Sequence, residues 1–222
     1  MGIFDRYRGP QDLAQRIPVF PLAGALLLPR ADLPLNIFEP RYLAMIEHAL
    51  STDRLIGMIQ PAADDEAADV PKLMKVGCVG RITSWSETPD DRMLITLTGV
   101  SRFQVVDELD VDTPFRQVIA NYHPFAADLA MGAGAAEVNR PALLKVFRDY
   151  LDANNMSADW KEVDSAPTEV LVNTLSLLAP YPPQEKQALL EAPDLKTRAD
   201  VLVALTEVAL GKMGKGAKPR LQ

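Results

Sequence analysis

Ile17-Pro-Val-Phe-Pro-Leu22, then Leu28-Pro29, then Leu33-Pro-Leu-Asn-Ile-Phe-Glu-Pro-Arg-Tyr42 is the passage whose reading decides the fold. Ile17–Leu22 is short, apolar and twice interrupted by proline. A proline cannot donate to a sheet ladder, so the segment reads as an edge strand. Leu26–Leu28 is a second apolar run, closed by Pro29, and Asp32–Phe38 reads as extended. Pro40 then falls where a first helical turn accepts proline, because the missing N–H has no intrahelical partner there anyway. Tyr42, Leu43, Met45, Ile46, Ala49 and Leu50 recur at helical spacing, which predicts a helix over 39–51.

Downstream, residues 54–60, 76–85, 93–100, 103–106 and 115–122 are short runs rich in Val, Ile, Thr and aromatics, predicting five strands. Thr88-Pro-Asp-Asp91 has turn chemistry and predicts a hairpin. An antiparallel meander closing into a small barrel or curled sheet follows. Residues 62–71, with Asp64, Asp65, Glu66 and Asp69, read as a solvated acidic loop.

From Asn139 the texture becomes helical. Leu143, Leu144, Phe147, Tyr150 and Leu151 form one stripe. Ser165 reads as the cap of a helix lined by Leu171, Leu175 and Leu178, and Asp194 as the cap of a last helix ended by Gly211. The expected fold class is α+β: a β-rich subdomain over 16–125, a connector at 126–136 and a helical bundle over 137–211. Residues 1–15 form an N-terminal extension and 212–222 a basic, disordered tail.

Composition removes several functions. Lys plus Arg number 23 against 30 Asp plus Glu, a net charge of −7. That makes general binding to phosphate backbones unfavourable. The cationic clusters that remain are Arg6, Arg8 and Arg16, and the tail. Cys78 is the single cysteine, so no intramolecular disulfide or multi-cysteine metal site is available. It lies in a strand pattern and reads as an inert buried thiol. His48 and His123 stand outside any motif. Gly211–Gly216 lacks phosphate-loop spacing and no nucleophile elbow is present. No cofactor, metal or catalytic residue is expected. No segment reads as a membrane span or signal peptide, so the expected location is cytoplasmic.

The opening passage resembles the N-terminal, substrate-binding domain family of Lon proteases, whose signature is a P-L-F-P-L strand, an apolar run ending in proline, and I-F-E-x-R-Y entering a helix. Val76-Gly77 to Ile82, Gly99-Val-Ser-Arg-Phe103, Pro183–Glu191 and Asp194–Arg198 resemble later family segments, and the likeness covers about residues 16 to 210. It implies a PUA-like β subdomain followed by a helical bundle. No ATP-binding loop and no Ser–Lys protease segment follow, so the expectation is a stand-alone form without peptidase activity.

The signature residues Glu39, Arg41, Tyr42, Gly99, Arg102 and Phe103 are expected to be structural. Glu39 suits the helix dipole, and Gly99 is expected to hold a backbone conformation that other residues resist, with Arg102 bracing a turn. The expected function is a non-catalytic module binding exposed apolar or unfolded segments of other proteins, as adaptor or partner in proteolysis. Candidate contacts are Leu27, Leu28, Arg30, Arg81 and Trp85. A PUA-like small-molecule or RNA-binding module is the alternative. Self-association is expected from apolar helical surface left uncovered.

Overall fold

The computed structural model describes residues 3–62 and 70–216. Most of the acidic loop and the last six residues of the tail therefore lie outside the described residues. Among those described, six strands share one sheet: β1 (Arg16–Pro21), β2 (Asp32–Ile37), β3 (Leu55–Ile59), β4 (Val76–Glu87), β5 (Met93–Leu109) and β6 (Gln117–Asn121). The order is β2-β5-β4-β3-β1-β6, and an added β5–β6 pairing closes β5-β4-β3-β1-β6 into a ring.

β5 makes closure possible. Its 17 residues pair with β4 on one side; on the other they pair first with β2 and then with β6. Register shifts at Val79/Gly80, Ile82/Ser84 and Val105/Asp107 supply the bends that a small ring requires. The interior is filled by Ile17, Val19, Leu55, Val79, Val100, Phe103, Val118 and Tyr122. Phe103 needs Gly77: a Cβ there would stand 2.6 Å from the ring.

Four expectations change. First, β1 is not an edge strand. It pairs antiparallel with β6 through Pro18 and parallel with β3 from Val19. Pro18 is tolerated because bonding to β6 alternates: Ala120 N–H donates to Gln15 O and Val19 N–H donates to Arg116 O, so Pro18 falls between bonded positions, and Pro21 lies past the β6 pairing. Second, the sheet is mixed, because β2 and the helix α1 (Pro40–Ser51) lie between β1 and its parallel neighbour β3. Third, the runs at 93–100 and 103–106 are one strand, so there is no turn between them for Arg102 to brace. Fourth, the N-terminal extension contributes to the core: Tyr7 and Leu13, flanking a 3-10 turn at Pro10–Asp12, are buried against the barrel interior.

The helices are α1, then α2 (Arg140–Ala153), α3 (Trp160–Ser165), α4 (Thr168–Leu178), α5 (Pro183–Glu191) and α6 (Leu195–Gly216). Asn139 caps α2 by accepting from Ala142 N–H, and Asp194 caps α6 by accepting from Thr197 N–H. Ser165 caps nothing downstream; it ends α3 and donates to Glu162 O. α4 buries Leu171, Val172, Asn173 and Ser176 and leaves Leu178 exposed, so its inward face is turned from the expected leucine stripe. α6 continues past Gly211 to Gly216. Among the described residues no helix is long and apolar enough to cross a membrane.

The chain divides into two compact units. One holds the described residues up to Met131 together with Asn173–Glu191; the other holds Gly132–Val172 and the described residues from Ala192 onward. The helical bundle read at 137–211 is therefore not one unit, since α5 and the end of α4 group with the barrel. In the second unit α2 packs on α6, and Arg140 donates to Ala166 O, Val163 O and Asp164 O.

Candidate functional site

The five candidate contact residues do not converge. Leu27 and Leu28 are fully buried. Leu28 sits under β5 because Arg30 N–H donates to Gly99 O and Gly99 N–H donates to Ala31 O. Neither leucine can meet a partner, and both are withdrawn as contacts. Arg30 has a left-handed backbone (φ 64°) and donates to Asp128 O and Ala130 O, clamping the turn at 123–129. Arg81 donates to Tyr7 Oη and Asp53 O. Trp85 alone is on an open surface, 45% exposed, with the Arg54 guanidinium 4.8 Å from its ring centre.

The signature residues fall in two places: Arg102, Gly99 and Phe103 lie inside the barrel unit, and Glu39, Arg41 and Tyr42 at the start of α1. Arg102 is buried and forks onto Asp128, with Nε and Nη2 at 2.9 and 2.8 Å, and Nη1 reaches Leu190 O. Gly99 has no left-handed backbone. It is glycine because a Cβ there would collide with the carbonyl oxygen of Leu28. Tyr42 is buried in α1 with its ring 4.2 Å from that of Phe20, and burial raises its phenol pKa. Arg41 lies over the Tyr42 ring at 4.5 Å and pairs with Glu39 at 2.8 Å.

Around that last trio the surface is hollowed twice. One hollow, about 370 Å3, is lined by Phe20, Pro21, Leu22, Leu35, Ile37, Phe38 and Tyr42 with Asn36, Glu39 and Arg41. The other, about 310 Å3, is lined by Pro21, Tyr42, Pro61, Val70, Pro71, Pro114 and Phe115 with Arg41 and Arg116. They share Pro21, Arg41 and Tyr42 and lie within one unit. Phe38 on the rim is 61% exposed. Both guanidinium groups are already matched, Arg41 by Glu39 and Arg116 by Glu108. What the hollows offer is therefore apolar surface with little net charge.

Sequence reading passed over Phe38, Phe115 and the prolines. One signal was present. Leu33, Leu35 and Ile37 alternate in phase, and Phe38 breaks that phase beside them. A large ring out of register at a strand end faces away from the core.

No group of His, Cys, Asp and Glu that could hold a metal occurs among the described residues. The class these features define is a small mixed β-barrel with a solvent-facing apolar depression.

Comparison with known proteins gives the class its family. The model for the ATP-dependent protease La (Lon) substrate-binding domain matches residues 16–207, and the chain belongs to that family. Lon protease 2 of Myxococcus xanthus is 27% identical over 207 residues, covering 88% of this chain and 24% of its own length. Lon protease 2 of Sorangium cellulosum is 26% identical over 202 residues. This chain thus spans about a quarter of the curated relatives it matches. Among solved structures, a Lon N-terminal domain protein from Xanthomonas campestris superposes with a TM-score of 0.59 at 21% identity, covering 86% of this chain and 98% of that one. The N-terminal domain of a Mycobacterium avium complex Lon protease gives 0.60 at 15% identity. These two likenesses establish the fold.

Proposed function

We propose that the chain is a non-catalytic recognition module that binds exposed apolar or unfolded segments of other proteins, and that the paired hollows around Tyr42 receive them. It would present such segments to a proteolytic system. The observation that carries the reading is the apolar, proline- and aromatic-rich lining shared across Pro21, Arg41 and Tyr42, open to solvent at Leu22 and Phe38. Apolar side chains entering it gain about 25 cal/mol per Å2 of surface removed from water, before the cost of ordering the peptide. Family membership supports a substrate-recognition role.

The test is fluorescence anisotropy of a labelled, permanently unfolded protein titrated with the chain, with its folded form as control. Saturable binding to the unfolded form alone is expected. Phe38→Ser should weaken it about fivefold or more, roughly 1 kcal/mol, while Trp85→Ala should change it less. Equal affinity in the Phe38→Ser chain would move the site elsewhere. No binding at high micromolar concentration would remove the function.

A further inference from the structure

A second pair of hollows lies in the same unit and differs in chemistry. One, about 450 Å3, and another, about 380 Å3, share Ala14, Thr52, Asp53 and Leu55. Each volume is in the range that holds small organic ligands. The buried faces of Tyr7, Leu13 and Leu55 supply apolar wall. Arg6 and Arg81, far apart in sequence, line the first hollow, and Arg16 lines the second across the wall they share.

Their donors are largely unspent. Arg6 makes no hydrogen bond or ion pair among the described residues. Arg16 uses only Nε, on Gln117 Oε1 at 2.7 Å. Arg81 uses only Nη1, on Tyr7 Oη and Asp53 O. Of the two carboxylates in the lining, Asp12 is turned onto the N–H groups of Arg8 and Gly9. The Asp53 carboxylate has no partner among the described residues. Planar guanidinium forks match the oxygens of phosphate or carboxylate, and such charge-assisted bonds are about twice as strong as neutral ones.

We propose that these two adjoining hollows, joined along Ala14, Thr52, Asp53 and Leu55, form one binding site for a small organic anion. Its oxyanion end is taken by Arg6, Arg16 and Arg81, and a hydroxyl or amino group donates to Asp53. The site is separate from the apolar hollows, and neither proposal depends on the other.

The test uses ribose 5-phosphate as probe, with ribose as control, followed by calorimetry and by the arginine Nε–Hε signals in NMR at low salt. Saturable binding of the phosphate ester alone is expected, with shifts at Arg6 and Arg16. Arg6→Gln and Arg16→Gln should each weaken it about fivefold, and Phe38→Ser should leave it unchanged. No saturation by about 10 mM, or undiminished binding in the Arg6→Gln/Arg16→Gln chain, overturns the proposal. A single-stranded oligonucleotide that binds more tightly and is not displaced by the sugar phosphate also overturns it, in favour of a nucleic-acid backbone as the true ligand.

Discussion

Arg102 places a full charge where water does not reach, 3% exposed, and Asp128 answers it at 8%. The Arg102 backbone N–H and side chain both donate to that carboxylate, and the Phe125 ring lies 4.4 Å from the guanidinium carbon. Removing one partner leaves the other buried and uncompensated, at a cost of about 3–5 kcal/mol. Arg102→Met should lower the denaturation midpoint accordingly, and Arg102→Met with Asp128→Leu should recover part of the loss. A single-variant loss below about 0.5 kcal/mol, the level of an ordinary surface change, would show the pair to be dispensable.

Tyr122 is the titrating counterpart. Burial pushes its phenol well above 10.0, and its Oη donates to Ala14 O at 2.8 Å. A raised folded pKa means that the stability it contributes is complete below 10.0 and is lost as pH climbs toward the folded value. The Tm should therefore fall steeply above that pH. Tyr122→Phe should start lower, by about 1 kcal/mol for the lost hydrogen bond, yet fall less steeply. Parallel pH profiles for the two chains would contradict this. At this scale the sequence was half legible. Arg102 and Gly99 stood out as signature residues, but their partners Asp128 and Leu28 are separated from them by 26 and 71 positions, and no local spacing reveals such pairings.

At the scale of elements, the true open edge is β2, which pairs only with β5. Ala31 accepts from Gly99 N–H, so Leu33, Leu35 and Ile37 continue the bonded phase, and Asp32, Pro34 and Asn36 aim their backbone groups outward. Pro34 thus removes a donor from the exposed edge, one of the ways sheets avoid pairing with other chains. Pro34→Thr should restore the donor and increase concentration-dependent association in sedimentation velocity, with little change in folding. A chain that stays unchanged in sedimentation at high concentration would show that the proline does not guard this edge. Strand and helix positions were readable because period and turn chemistry are local: α1 spans 40–51 where 39–51 was expected. Which strand is central was not readable, because Pro18 is harmless only by virtue of its phase against β6.

For the whole molecule, the proposed recognition rests on hydrophobic burial, since the chain carries a net charge of −7 and the arginines around the apolar hollows are matched. Affinity for an unfolded protein should then change less than about twofold between 50 and 300 mM salt, because screening acts on charges and not on apolar contact. It should also carry a negative heat-capacity change. A tenfold fall with salt would mean that ion pairs dominate and that the apolar hollows are not the principal contact surface.

The sequence by itself determined the α+β class, the family and most element positions. Each is written in local period, turn residues or a contiguous signature. Tertiary structure alone decided that Leu27 and Leu28 are core, that the segment before β1 contributes to the barrel interior, and that Asn173–Glu191 groups with the barrel. It also gathered Phe20, Phe38 and Phe115 about Tyr42, and Arg6 beside Arg81. The reason is physical. Burial and surface hollows depend on which distant segments meet, and ring closure of the sheet sets those meetings; no single segment encodes them.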